Sequence, residues 1–163
     1  MPHRPTSPKR PQLPIGWRRL LARLPIPLFR CGLGWIFRGR LLLLHHVGRI
    51  TGLDRHVVLE VVERAPDKSS WTIASGFGPQ AAWYSNLRAE PKTFIMAGTR
   101  HHAVTARFLT PDEGAEIMAR YARCHRRAAR RLCAFIGLSP DGTDGGFREA
   151  GRSIPFVRLD AGP

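Results

Sequence analysis

The sequence predicts an α+β domain in which helices pack on a small, mainly antiparallel β-barrel. From residue 41 onward, short β-rich segments alternate with turns, and the turns at Asp67-Lys68 and Gly98-Thr99 are too short for the crossover that parallel strands need. Strands and helices do not alternate regularly, which argues against a doubly wound α/β fold. With 163 residues, 43% of them hydrophobic, the chain can form one domain with its own core.

The first 38 residues are predicted to form a basic arm outside the barrel domain, which spans 39–163. Residues 1–40 carry nine basic residues and neither Asp nor Glu. Residues 1–14 contain five prolines, which predicts no regular structure, whereas residues 15–24 have the spacing of a short amphipathic helix. The residues that carry this pattern are Trp17, Arg18, Arg19, Leu20, Leu21, Arg23 and Leu24.

Hydrophobic patterning then predicts six strands and two longer helices. The strands are expected at 41–46, 56–63, 71–75, 93–97, 101–109 and 154–159. One helix is expected over 79–90, between the third and fourth strands. A second begins after Thr110, where a proline and Glu113 complete a capping-box pattern, and runs to about Cys133. A helical turn near Phe147 precedes the last strand.

The charge balance predicts an anionic partner. The net charge is +14, and 23 of the 26 basic residues are Arg. Nucleic acid, a membrane surface and a phosphorylated small molecule all fit this composition. A basic stripe on the long helix lacks interleaved aromatic residues for base stacking, so solvated helix surface is favoured and no nucleic-acid partner is expected. The stripe consists of Arg120, Arg123, Arg126, Arg127, Arg130 and Arg131.

The cysteines and apolar segments predict a cytoplasmic protein. The chain has three cysteines, an odd number, at Cys31, Cys124 and Cys133. Their spacing is not that of metal ligands, so neither a disulfide framework nor a zinc knuckle is expected. No uninterrupted apolar stretch reaches the roughly 18 residues of a membrane span. Pro25 and Pro27 break the apolar region that a signal peptide needs. The basic amphipathic arm predicts peripheral binding to the inner face of the cell membrane, with packing on the barrel as the alternative.

The loop between the first two strands has the composition of an anion-binding site. Gly48 and Gly52 allow a sharp backbone turn, and Thr51 offers a hydroxyl group. Arg49 and Arg55 can each donate two hydrogen bonds to phosphate oxygens. The same pattern also fits a tight hairpin with solvated arginines, so the spacing leaves both interpretations open.

A second candidate segment follows the third strand. Ser75-Gly76-Phe77-Gly78 ends the strand and precedes a helix, an arrangement that brings backbone N–H groups and an open glycine towards a ligand. Trp83 and Asn86 lie three residues apart and share one face of that helix. Trp83 fits the wall of a pocket and a plain core position equally well.

Two histidine pairs have the composition of metal ligands. They are His45-His46 and His101-His102. Neighbouring residues on a strand point to opposite faces of the sheet, so neither pair can bind one ion. Only a meeting of the two pairs across the sheet would bring several ligands together, and no metal site is expected.

In combination and in this order, these segments resemble the deazaflavin (F420)-dependent nitroreductase family of split β-barrel oxidoreductases, found in actinobacteria. The resemblance covers about residues 20–160 and implies a mainly antiparallel, FMN-binding-like split β-barrel with flanking helices. It rests on the strands 41–44 and 57–62, the pattern Gly48-Arg49-x-Thr51-Gly52-x-x-Arg55, Ala74-Ser75-Gly76, Trp83-Tyr84-x-Asn86-Leu87-x-Ala89-x-Pro91 and Ile154-Pro155-Phe156-Val157.

The resemblance implies hydride transfer between coenzyme F420, or FMN as the alternative, and a small hydrophobic acceptor such as a quinone or enone. The residues it assigns to the phosphate end are Arg49, Thr51, Gly52 and Arg55, and those it assigns to the ring are Ser75, Gly76, Phe77, Gly78, Trp83 and Asn86. Trp83 and Phe147 would line the substrate side.

This chain departs from the family pattern at two positions. Ile50 stands where the family usually has Lys or Arg, which weakens the phosphate clamp. Phe147 stands where relatives carry a Tyr near the substrate, and it has no hydroxyl group to donate a proton. Barrels of this outline are often dimers, so the resemblance also implies a homodimer. A non-catalytic module that binds membrane or nucleic acid is the hypothesis from a different class.

Overall fold

The computed structural model describes residues 25–31, 33–34 and 38–162. The predicted amphipathic helix of the arm lies outside these residues and stays a prediction, with its members Trp17, Arg18, Arg19, Leu20, Leu21, Arg23 and Leu24. In the described part of the chain, no helix is long and apolar enough to cross a membrane.

Six antiparallel strands close into a barrel in the order β1-β2-β3-β6-β5-β4, with β4 pairing back to β1. They are β1 (Leu41–Val47), β2 (Asp54–Arg64), β3 (Ser70–Ala74), β4 (Lys92–Ala97), β5 (Arg100–Phe108) and β6 (Phe156–Ala161). The predicted mainly antiparallel barrel with flanking helices is confirmed. Short hairpins join β1 to β2, β2 to β3 and β4 to β5, as the turn residues indicated.

Five helices surround the barrel in the described residues. They are α1 (Pro25–Arg30), α2 (Ala82–Ala89), α3 (Pro111–Cys124), α4 (Arg126–Phe135) and α5 (Asp144–Arg152), and a 3-10 turn at Gly78–Gln80 precedes α2. The capping box at the start of α3 is confirmed. The Thr110 hydroxyl accepts from the Glu113 N–H at 3.2 Å, and the Glu113 carboxylate accepts from the Thr110 N–H at 2.8 Å.

Both long helices are shorter than predicted. The expected helix 79–90 is divided because Ala81 has a non-helical backbone, with ψ 131°. The expected helix from 111 to 133 is divided at His125, whose φ of −137° and ψ of 54° are not helical. The last strand begins at Phe156 instead of residue 154, because the Ile154 N–H donates to the Gly151 carbonyl of α5 and Pro155 has no N–H for the ladder.

The core has two parts. One fills the barrel, where Leu42, Leu44 and Ile95 pack against Trp83 and Leu87 of α2. The other lies outside the barrel, between the sheet and α3, α4 and α5. In this second part α3 and α5 approach closely at Gly114 and Gly151. A Cβ on Gly151 would lie 2.5 Å from the Gly114 carbonyl oxygen, so only glycine fits there.

Candidate functional site

The β1–β2 loop, residues 48–53, is a tight turn closed by its own backbone. The Gly52 N–H donates to the Gly48 carbonyl at 2.7 Å, and the Gly48 N–H donates to the Leu53 carbonyl at 2.9 Å. Gly52 has a φ of +67°, which favours glycine. Because these N–H groups are used inside the loop, an anion bound here would be held mainly by side chains.

Two of the predicted anion-binding side chains converge over Gly48. A Cβ built on Gly48 would lie 2.6 Å from Thr51 Oγ1 and 3.3 Å from Arg55 Nε. Because Gly48 has no side chain, the Thr51 hydroxyl group and the Arg55 guanidinium group can both pack close to its Cα. Ile50 points away from the protein, with 85% of its surface exposed.

Arg49 is bound to α2 through Asn86. The Asn86 Oδ1 accepts from the Arg49 backbone N–H at 3.1 Å and from Arg49 Nη1 at 3.3 Å. On its other side, the Asn86 Nδ2 lies 2.9 Å from His46 Nδ1. Asn86, predicted to contact the coenzyme, thus has its amide committed to residues of the protein.

His46 was missed as a site residue by the sequence reasoning, which considered it only as a metal ligand. The available signal was strand alternation, because His46 follows Leu42 and Leu44 on the buried face of β1. Burial, followed by the charge of Arg55 and the neighbouring His45 and His56, lowers the pKa of His46 to about 4. The ring is therefore neutral at pH 7.

The segment 75–78 also forms a closed turn. The Ser75 hydroxyl donates to the Gly78 carbonyl at 2.7 Å, and the Gly78 N–H donates to the Ser75 carbonyl at 3.0 Å. A Cβ on Gly76 would lie 2.8 Å from the ring of Phe135, so glycine permits the close packing of this side chain, and the expected contact of Gly76 with the coenzyme ring stays a prediction. That ring belongs to the last residue of α4, which also meets Phe77 edge-on at 5.2 Å.

Trp83 and Phe147 are core residues in this structure. Trp83 is 6% exposed and packs edge-on against Tyr84 at 5.7 Å within the barrel cluster. Phe147, expected on the substrate side, is 1% exposed and lies in the cluster between the sheet and the helices. Phe135, which sequence reasoning did not select, is the aromatic residue beside the glycine turn, with 47% of its surface exposed.

The two candidate segments meet at α2. This helix begins four residues after Gly78, and its Asn86 bonds to Arg49 of the β1–β2 loop. Ala82 and Asn86 are about one helical turn apart, so one rigid element links the loop to the glycine turn. The predicted phosphate-end and ring-end residues therefore flank a single helix packed on the barrel.

Several of the other charged and metal-ligand candidates have structural partners. His45 Nε2 lies 3.2 Å from Asp54, and the described residues contain no group of three side chains able to hold a metal ion. In the basic stripe, Arg120 pairs with Glu63 and Arg123 with Asp144.

Solved structures with the same fold come from several protein classes. A structure described as an F420-H2 dependent reductase (FDR-A) is 21% identical, with a TM-score of 0.51 over 74% of this chain and 94% of its own. A pyridoxamine 5'-phosphate oxidase-related, FMN-binding protein from Nostoc punctiforme is 15% identical, with a TM-score of 0.52 over 90% of this chain and 81% of its own. These likenesses show the split-barrel fold.

The family is shown by sequence. No curated protein matches the chain. The family model described as F420H(2)-dependent quinone reductase matches residues 29–131, which is more than half of the chain. This range includes the β1–β2 loop, the glycine turn and α2. The prediction of an F420-dependent oxidoreductase is therefore confirmed, and the chain belongs to the F420H(2)-dependent quinone reductase family.

Proposed function

We propose that this F420-dependent reductase reduces a hydrophobic acceptor of the quinone or enone class, with its coenzyme held along α2 between the β1–β2 loop and the glycine turn. The observation that carries the proposal is the convergence of Thr51 Oγ1 and Arg55 Nε over Gly48, at 2.6 and 3.3 Å from where a Cβ would be. A hydroxyl group and a guanidinium group that lie together at the surface can both donate hydrogen bonds to one phosphate group.

The phosphate end of the coenzyme would bind to Thr51, Arg55 and the part of the Arg49 guanidinium that faces away from Asn86. Thr51 and Arg55 are exposed, so a charged ligand can reach them from solvent. Ile50 contributes no charge, and the positive charge here comes from Arg49 of the loop and Arg55 of β2. Gly52 fixes the shape of the turn by its positive φ and adds no side chain that would block the ligand.

The flat ring would lie against the turn Ser75-Gly76-Phe77-Gly78. When bound, the deazaflavin supplies the hydride chemistry. The Ser75–Gly78 hydrogen bonds keep the turn rigid. The Phe135 ring packs on Gly76 and meets Phe77 edge-on, so the two rings would form an apolar wall that excludes water beside the coenzyme. Phe135 takes the substrate-side role that the resemblance gave to Phe147, and Trp83 supports α2 from the core.

A hydride-transfer assay tests this function. Reduced F420 mixed with the protein and a short-chain quinone should lose its reduced-state absorbance only when protein and quinone are both present. Mixing with oxidised F420 and with FMN, followed by absorbance, measures which cofactor binds. Oxidation at the rate of the protein-free control, or binding of FMN alone, would overturn the proposal.

We further propose that the arm and the β1–β2 loop bring the enzyme to an anionic membrane, where an acceptor of this class dissolves. Ile50 and Leu53 at the loop are 85% and 61% exposed. Arg30, at the end of α1, is close enough to His56 of β2 to contribute to lowering the pKa of that imidazole, after burial and His45. The arm therefore joins the domain near the strand that follows the loop.

A homodimer is a further proposal, supported by the outer face of the β4–β5 hairpin. Phe94 is 57% exposed there and lines a shallow cavity of about 290 Å³ together with Ala103. Sedimentation velocity decides the proposal, because Phe94→Ser should dissociate a dimer formed through this face. A wild-type monomer at all concentrations would contradict it.

A further inference from the structure

The side chain of His46 is connected to the candidate coenzyme loop through a single amide. His46 is 5% exposed and Asn86 is 4% exposed, so both lie away from solvent. The Asn86 Nδ2 is 2.9 Å from His46 Nδ1, and the Asn86 Oδ1 accepts both the backbone N–H and Nη1 of Arg49. These contacts form one chain of hydrogen bonds from β1 through α2 to the loop.

The hydrogen bonds of the Asn86 amide determine the protonation state and the tautomer of the His46 imidazole. Arg49 offers only donors, so the oxygen of Asn86 must face it and the NH2 group must face His46. An amide nitrogen donates and does not accept, which makes His46 Nδ1 the acceptor. The ring must then be neutral, with its proton on Nε2. The low pKa of His46, about 4, agrees with this assignment.

A positively charged His46 would disrupt this series of hydrogen bonds between β1, α2 and the loop. Protonated Nδ1 would face the NH2 group of Asn86, and rotation of the amide to accommodate it would turn that NH2 group towards Arg49. The guanidinium group of Arg55 and the neighbouring imidazoles of His45 and His56 all oppose this protonation. The hydrogen-bond pattern around Asn86 is therefore stable only with a neutral ring.

We propose that His46 is a positioning residue for coenzyme binding, which acts through Asn86 to hold Arg49 and the loop 48–53 in the conformation that receives an anion. The inference rests on the proposed function of that loop. Arg49 follows Gly48 directly, and Gly48 lies beneath Thr51 and Arg55. Fixing the Arg49 backbone therefore fixes Gly48 and the two side chains packed on it before a ligand arrives.

The first test uses the protein without coenzyme. Long-range proton–nitrogen NMR correlations of the imidazole should give the tautomer with the proton on Nε2 at pH 7. The Arg49 amide should be protected from hydrogen exchange in the wild type and in His46→Gln, whose side-chain oxygen can accept from Asn86, and exposed in His46→Leu. A proton on Nδ1, or an Arg49 amide equally protected in all three proteins, would overturn the proposal.

The second test measures F420 binding by fluorescence titration. We expect His46→Leu to weaken the affinity about tenfold, the effect of one buried hydrogen bond, and His46→Gln to restore most of it. Equal weakening in both variants, with unchanged circular dichroism, would make His46 a packing residue and refute the positioning role. If wild-type protein binds no F420, the proposed function fails, and the NMR result still decides whether His46 positions the loop.

Discussion

Replacing Trp83 with Ala should destabilise the protein strongly, because the indole is part of the barrel core. Trp83 is 6% exposed and packs edge-on against Tyr84 at 5.7 Å. An aromatic side chain buries roughly 150–250 Å² of surface, at about 25 cal/mol per Å², which corresponds to about 4–6 kcal/mol. Measured truncations of buried Trp and Phe cost about 3–5 kcal/mol, the loss we expect in the free energy of unfolding.

Guanidinium chloride unfolding followed by far-ultraviolet circular dichroism measures this loss. Two controls bracket the result. Trp83→Phe keeps an aromatic ring in the cluster and should lose about 1–2 kcal/mol, whereas Ile50→Ala, at a side chain that is 85% exposed, should change stability by less than about 0.5 kcal/mol. A loss below about 1 kcal/mol in Trp83→Ala, with turnover abolished, would mean that Trp83 lines an open pocket and would refute the core assignment.

Three further predictions concern the helix crossing, the buried histidine and the arm. Gly151→Ala should lower the free energy of unfolding by about 1–3 kcal/mol through overpacking, since its Cβ would meet the Gly114 carbonyl oxygen at 2.5 Å. An unchanged melting temperature would show that α3 and α5 can move apart without loss of stability. Because burial and Arg55 lower the pKa of His46 from 6.5 to about 4, the unfolded chain binds more protons between these pH values. Lowering the pH across this window should therefore reduce the unfolding free energy by up to about 3 kcal/mol. His46→Gln should remove this part of the pH dependence. If the unfolding free energy of wild type and of His46→Gln depends on pH in the same way, this would argue against a buried neutral ring. At low salt the full chain should sediment with anionic but not with neutral liposomes, whereas a chain beginning at Arg38 should sediment with neither. Equal sedimentation of both chains with anionic liposomes would argue against membrane binding by the arm.

Much of the barrel could be predicted because its signals are local. Short turns at Asp67-Lys68 and Gly98-Thr99 indicate hairpins, and the capping residues Thr110 and Glu113 mark the start of α3. The break at His125 could not be predicted, since neither Gly nor Pro occurs there. The break lets Ala129 and Cys133 of α4 pack into the second core cluster, and this tertiary packing overrides helix propensity.

The candidate site was predicted in its residue types and only partly in its contacts. Thr51 and Arg55 are close in sequence, so their convergence follows from one tight loop. The contact between His46 and Asn86 joins residues 40 positions apart, and it depends on how α2 packs against β1. Phe135 contacts Gly76 from a helix that lies far along the chain, so its place beside the glycine turn has no local signal.

The most direct test of the account is the affinity for F420 of the double variant Arg49→Ala/Arg55→Ala, measured by fluorescence titration beside wild type. Arg100→Ala, at an exposed arginine of the β4–β5 hairpin, controls for the loss of positive charge. Two charged hydrogen bonds at about 1.5–3 kcal/mol each predict a loss of roughly 100-fold or more in the double variant, with little change in Arg100→Ala. An unchanged dissociation constant in the double variant, or an equal loss in Arg100→Ala, would contradict the assignment of the β1–β2 loop to the phosphate end of the coenzyme.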